Sequence, residues 1–350
     1  MVHFILALSV IIAFSKYKNI RLTGLAFIIL SAFSALRYNF GNDYSSYARA
    51  YRAIKGGEDI FKNEHLYTLL NKITPGFFLL MAITAAFFAW VVYKMVKEHT
   101  VGIYQGMAVL IFVINPYLFL MNLSAVRQCI AMCIFIMALK YIQERKFLLY
   151  LLMIIMATLF HLSALVLIPV YFFVNDKPMS RLQAFLLVTA MLLLLIEGRI
   201  VSSLIETGLF VFDNSSYTHY FSSGTTNSLR ATFLTGVYFA YVAINLVHLK
   251  GYKLICGKLY LVGSFLGMLA IHIAAITRIQ MYFDIFSIIA IPAIMEYHAN
   301  CEEGKWKRIV NLYIFPVALL IIYIARYYSF FANPMWSSFA TYHTIFEALL

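Results

Sequence analysis

Of the 350 residues, 63% are hydrophobic and only 12% are charged, with a mean hydropathy of +0.83. Soluble domains carry about 45–50% apolar and about 25% charged residues, so a single soluble core cannot absorb this surface and the bilayer must act as part of the solvent. Soluble enzymes, fibrous proteins and disordered chains are excluded. The net charge of +12, from 27 Lys+Arg against 15 Asp+Glu, is read as membrane topology and anionic lipid-like partners rather than nucleic acid.

Residues 1–15 are apolar, and the positive run Lys16, Lys18, Arg21 follows them. A secretory signal carries its positive charges before the apolar stretch, so 1–15 is expected to be a retained first helix. Further apolar segments lie at about 22–36, 76–96, 103–122, 124–142, 147–160, 161–175, 182–197, 231–249, 259–276, 279–297 and 309–326. Each is a candidate span. The pair 147–160 and 161–175 is short enough to form one bent helix or a re-entrant pair. The expected fold is therefore an all-α polytopic membrane protein with about 12 (10–12) transmembrane helices, built as one integral membrane domain over 1–350.

The positive-inside rule orients it. With 16–21 cytoplasmic, the inner loops hold Lys16, Lys18, Arg21, Lys94, Lys97, Lys140, Arg145, Lys146, Lys177, Arg181, Lys250, Lys253, Lys258, Lys305, Lys307 and Arg308. Both termini then face outward. Two long outer loops result, 37–75 and 198–230, together with an aromatic tail, 327–350, expected to lie amphipathically along the outer interface.

The remaining positive charges differ in kind. Five lie within the loop 37–75 (Arg49, Arg52, Lys55, Lys62, Lys72). The other six, Arg37, Arg127, Arg199, Arg230, Arg278 and Arg326, stand at outer helix ends, and all are Arg. The inner charges are mostly Lys. Topology has no reason to choose Arg outside, whereas planar bidentate recognition of phosphate does.

Four constellations carry chemistry. The first is Arg37 to Tyr47, where Gly41 and Asn42 permit a tight turn before Tyr44 and Asp43 is expected near the membrane surface. Its plainer reading is a helix stop with an Asx turn. In the second, Ser124 is a candidate N-cap and Arg127 and Gln128 open an apolar helix. A cation at a positive helix end calls for an anion, and phosphate fits; snorkelling to headgroups is the alternative. In the third, His161 interrupts an apolar run, as a functional ionisable group or an interhelical hydrogen-bond partner. The fourth joins His272 and Arg278 with Gln280, Tyr282 and Asp284. On a continuous helix His272 lies about 9 Å below Arg278, and Arg278 and Tyr282 share a face. Asp284 is functional or a structural partner for Arg278 or His272.

Cys129, Cys133, Cys256 and Cys301 show neither metal spacing nor a disulfide framework. Walker, Rossmann, HExxH and GxSxG signatures are absent, and the outer loops hold no DxD pair.

The ordered set Arg37…Gly41-Asn42-Asp43-Tyr44…Tyr47, Asn63-Glu64-His65-Leu66-Tyr67, Arg127-Gln128-Cys129-Ile130-Ala131, Phe160-His161-Leu162-Ser163 and Arg278…Tyr282 resembles the EpsG-like family, grouped with the Wzy-type O-antigen and capsule polymerases. The resemblance covers about residues 37–290. It implies a bacterial cytoplasmic-membrane enzyme, similar to GT-C lipid-donor glycosyltransferases. Such an enzyme joins undecaprenyl-diphosphate-linked oligosaccharides at the outer face without metal or nucleotide sugar. Flippase and chain-length regulator proteins become candidate partners beside membrane lipids. On this reading Arg127 and Arg278, with Arg37 nearby, hold the donor diphosphate, supported by Gln128 and Tyr282. Arg199, Arg230 and Arg326 are candidates for the acceptor diphosphate. His161, Asp43 or His272 is the base, and the sequence leaves the choice open. A polysaccharide ligase, another membrane glycosyltransferase and a lipid-linked oligosaccharide transporter are the rival readings.

Overall fold

The computed structural model describes residues 1–17, 20–178, 229–270, 276–301 and 304–347, with the single positions 180, 182, 185, 189 and 191. Arg199, His272 and most of the expected segments 182–197 and 198–230 lie outside the described residues. The chain divides into two compact units, Met1–Asn175 with Leu320–Leu350, and Asp176–Leu319.

In the first unit α1 (Val2–Phe14) and α2 (Thr23–Ala35) are joined by a hairpin, β1 (Lys16–Tyr17) and β2 (Ile20–Arg21), in register Lys16↔Arg21. After β3 (Arg37–Tyr38), the expected outer loop 37–75 folds as two amphipathic helices, α3 (Tyr44–Lys55) and α4 (His65–Ile73). α3 buries Tyr44, Tyr47, Tyr51 and Ile54, at the three-, four- and seven-residue spacings of one helix face. Next come α5 (Phe77–His99), α6 (Ile103–Ile114), the short α7 (Leu120–Ser124), α8 (Val126–Gln143) and α9 (Phe147–Phe160).

Two breaks shorten the expected spans. α6 stops at Ile114, well before the expected 122, because Pro116 biases Asn115 out of the helical region (ψ 102°). At His161 the backbone turns extended (φ −156°, ψ 117°), and the expected helix 161–175 becomes a 3-10 helix, Leu162–Leu167, followed by α10 (Val170–Phe173). Ser124 does not cap α8; Ala125 occupies that position, and Ser124 ends α7.

The polarity of this unit follows from its contacts. A Cβ on Gly24 would meet the Tyr93 hydroxyl at 3.3 Å, and Thr23 donates to Gln105 at 3.1 Å. The start of α2, the end of α5 and the start of α6 therefore share one end, which holds Lys16, Arg21, Lys94 and Lys97. Arg37 reaches the Leu123 carbonyl at the opposite end, so α8 runs back towards the basic end and delivers Lys140, Arg145 and Lys146 there. The start of α8 and the end of α9 sit together at the end away from these charges.

The second unit contains α11 (Leu229–Asn245), α12 (Gly251–Leu269), α13 (Ile276–Asp284), α14 (Ser287–Asn300), α15 (Lys305–Ile309) and a π turn, Val310–Ile314. α16 (Phe315–Ala332) follows. α12 begins eight residues before the expected 259, so Lys253 and Lys258 belong to a helix and not to a loop. Lys253 pairs with Glu296, and Lys258 is buried and donates to the Lys177 carbonyl at 3.1 Å. α12 and α13 approach closely because Gly263 and Gly267 face Asp284 and Gln280; any Cβ there would clash below 3.0 Å.

The tail packs back onto the first unit with one of its faces. After α16 a 3-10 turn, Pro334–Phe339, leads to β4 (His343–Thr344), which pairs with β3 in register Arg37↔Thr344. Tyr342 stacks on Phe33 with centroids 4.4 Å apart, and Phe339 is fully buried.

By length and composition, four helices among the described residues can cross a membrane: Phe77–His99, Val126–Gln143, Gly251–Leu269 and Val310–Ala332. The pair Ile276–Asp284 and Ser287–Asn300, bent by 45°, makes a fifth if counted as one span. The other apolar helices run 10–17 residues, short of the roughly 20 that a bilayer requires. The chain is thus a nearly all-α polytopic membrane protein.

Candidate active site

The α8–α9 hairpin places Arg127, second residue of α8, beside His161, which directly follows α9. Between them stands Glu64, at the N-cap of α4. Its main chain is fixed on both sides: the Glu64 N–H donates to the Phe61 carbonyl at 2.9 Å, and its carbonyl accepts from Thr68 N–H at 3.0 Å. The two carboxylate oxygens serve different donors. His161 Nδ1 donates to Oε1 at 2.7 Å, with Leu162 N–H at 3.4 Å, and an Arg127 Nη donates to Oε2.

Side-chain exposure is 8% for Glu64, 15% for His161 and 26% for Arg127. Burial pushes the Glu64 carboxyl upward, but the His161 hydrogen bond and the Arg127 charge outweigh it and hold it below its ordinary value. Glu64 is therefore ionised at neutral pH.

Aromatic rings complete the surround. The Arg127 guanidinium lies 4.2 Å from the Phe61 ring centroid and 5.9 Å from that of Tyr47, cation–π distances. Tyr67 stands edge-on to both rings and is fully buried. Burial pushes the Tyr47 and Tyr67 hydroxyls upward, so both stay neutral. Arg127 Nε is buried without a hydrogen-bond partner among the described residues.

Of the residues chosen from the sequence, Arg127 and His161 come together here. Arg37 is 2% exposed and donates to the carbonyls of Ser34 at 2.6 Å and Leu123 at 3.0 Å. Burial lowers its pKa to about 10, so it remains charged. Its bonds staple the end of α2 to α7, just before α8. Gly41 and Asn42 hold the tail: Gly41 N–H donates to Ser338 at 3.2 Å, Asn42 Nδ2 to Met335 at 3.0 Å, and Ser338 Oγ to Asn42. Asp43 caps α3 through its carbonyl, and Tyr44 is buried on that helix. Gln128 is buried in α8. Arg326 lies in α16, where its charge acts on Tyr117.

In the second unit, Arg278 and Tyr282 share α13, with Tyr282 fully buried, and Asp284 accepts from Gln280 at 2.7 Å. Arg230 lies in α11, its side chain outside the described residues. No cluster of three metal-ligating side chains occurs among the described residues.

The residue missed by reading for functional side chains is Glu64. Its signal was present: it stands within one of the motif blocks, an acidic residue at the start of an amphipathic helix.

The chain is a polytopic, nearly all-α membrane protein in which an arginine and a histidine share a buried carboxylate at a helix end. The EpsG family model matches residues 20–344, and the chain belongs to that family. Membership points to a membrane polysaccharide polymerase of glycosyltransferase type. No curated protein and no solved structure gave a significant match.

Proposed function

We propose that the protein lengthens a bacterial polysaccharide by joining undecaprenyl-diphosphate-linked oligosaccharide repeat units at the outer face of the cytoplasmic membrane, as a GT-C-like, lipid-donor glycosyltransferase. A hydroxyl of the acceptor sugar attacks the anomeric carbon of the donor. The new C–O bond forms as the bond from that carbon to the diphosphate oxygen breaks, and its electron pair leaves with the lipid diphosphate. Arg127 stabilises the charge developing on that leaving group. His161 Nε2 accepts the proton of the attacking hydroxyl. The reading requires no cofactor, because an arginine supplies the charge that the diphosphate needs.

The observation that carries it is the convergence of Arg127 and His161 on Glu64, at the end of the first unit away from Lys16, Arg21, Lys94, Lys97, Lys140, Arg145 and Lys146. The positive-inside rule makes that basic end cytoplasmic and the site outward-facing.

Cells carrying His161→Asn at normal protein level should lose polymer and accumulate lipid-linked single repeats. An unchanged polymer length distribution in that strain removes His161 from the chemistry. Loss of transfer to a final acceptor, with elongation intact, marks a ligase instead.

A further inference from the structure

The two oxygens of Glu64 face two obligate demands. Arg127 can only donate. The oxygen facing His161 sits 2.7 Å from Nδ1, and an ionised carboxylate can only accept, so Nδ1 must carry a proton. In the neutral ring that leaves the lone pair on Nε2. Resting on the polymerase reading, we infer that Glu64 is a positioning residue: it fixes His161 in the Nδ1–H tautomer so that Nε2 can take the acceptor's proton, while Arg127 occupies the other carboxylate oxygen and prevents the carboxylate from turning away.

The geometry gives the isosteric variant a sharp outcome. In Glu64→Gln the side chain keeps its size but retains one acceptor oxygen and gains an NH2. Arg127 is charged and cannot accept, so the amide oxygen must turn to it. The NH2 then points at His161 Nδ1, which has to become the acceptor, and the ring proton moves to Nε2. The base loses its lone pair without losing its place. The fixed main chain of Glu64, bonded to Phe61 and Thr68, and the Phe61 ring beneath Arg127 allow this exchange without moving the helix.

The test is a 15N spectrum of the full chain in detergent with histidine ring labelling. The His161 signals are assigned by their loss in His161→Asn, and the tautomer is read above the ring's own titration in the same spectra. Wild type should show a protonated Nδ1 and a bare Nε2, and Glu64→Gln the reverse. With lipid-linked repeat units, Glu64→Gln should lower kcat by about 10²–10⁴, the scale on which an orienting carboxylate acts on a catalytic imidazole, and leave KM within about twofold. Glu64→Asp, which keeps both acceptor oxygens, should retain the wild-type tautomer and part of the activity. An Nδ1–H tautomer that persists in Glu64→Gln overturns the inference. Inversion of the tautomer in Glu64→Gln, together with a wild-type protein that elongates nothing, leaves the positioning role standing and removes the polymerase reading.

Discussion

Arg127→Lys separates charge from shape. The guanidinium carbon lies 4.2 Å from the Phe61 ring centroid, and one Nη donates to Glu64. Lysine keeps the charge and can reach the carboxylate, but it loses the planar guanidinium over the ring and the forked donor edge. The cation–π contact contributes about 0.5–2 kcal/mol. With a quarter of the side chain exposed, the ion pair is partly screened and largely retained by lysine. The loss of stability should therefore be about 1 kcal/mol. On the proposed diphosphate role the catalytic loss should be larger. Removing one preorganised donor from a developing anion costs about 2.7–4 kcal/mol, or about 10²–10³ in kcat. The assay is elongation of lipid-linked repeats by purified protein, followed as a ladder on a gel, with a thermal melt of the same preparation. A wild-type ladder refutes the diphosphate role. A loss of activity no greater than the loss of folded protein refutes it equally.

The remaining expectations are structural. Gly41 has φ +99°, and an added Cβ would sit 2.8 Å from Ser124 Oγ; Gly41→Ala should cost about 1–2 kcal/mol from the left-handed backbone alone and free the tail to protease, and Ser124→Ala should recover only the contact part. Arg37→Met strips two charge-assisted bonds from buried carbonyls, at about 1–3 kcal/mol for each group left unpaired; it should lower the yield of folded protein while KM of the surviving enzyme stays unchanged. The folded-state pKa of Glu64 is depressed below its ordinary 4.5, so its contribution to stability is present above that value and is lost as the pH falls through the folded value. Melts of wild type should show this acid loss, and melts of Glu64→Gln should be flatter over the same range.

The sequence made the class of fold legible, because hydropathy reports burial in lipid directly. It also exposed the α8–α9 hairpin: a basic turn at 144–146 between two apolar runs places residue 127 beside residue 161. Sequence spacing could not reveal the carboxylate that bridges the two ends of that hairpin. Glu64 meets Arg127 and His161 from 63 and 97 residues away, and no local periodicity encodes such a distance. Arg37 shows the opposite limit. An arginine at a helix end suits an anion and suits a pair of carbonyls equally well, and only the position of Leu123 decides. The seam of the tail was hidden for a related reason: aromatic residues fit an interface as well as a buried seam, and the strand pairing of Arg37 with Thr344 brings together residues more than 300 positions apart. Lys258 was counted as a loop charge because the expected apolar segment starts after it, at 259, yet α12 begins at Gly251 and buries it.

Reconstitution puts chain elongation itself to the test. Purified protein in detergent, given undecaprenyl-diphosphate-linked repeat units and no nucleotide sugar, should build a ladder of lengthening chains and release undecaprenyl diphosphate in step. His161→Asn, equally folded, should leave the single repeats untouched. Wild-type protein that is folded and binds the lipid-linked repeats yet neither lengthens them nor releases the lipid diphosphate would contradict the account.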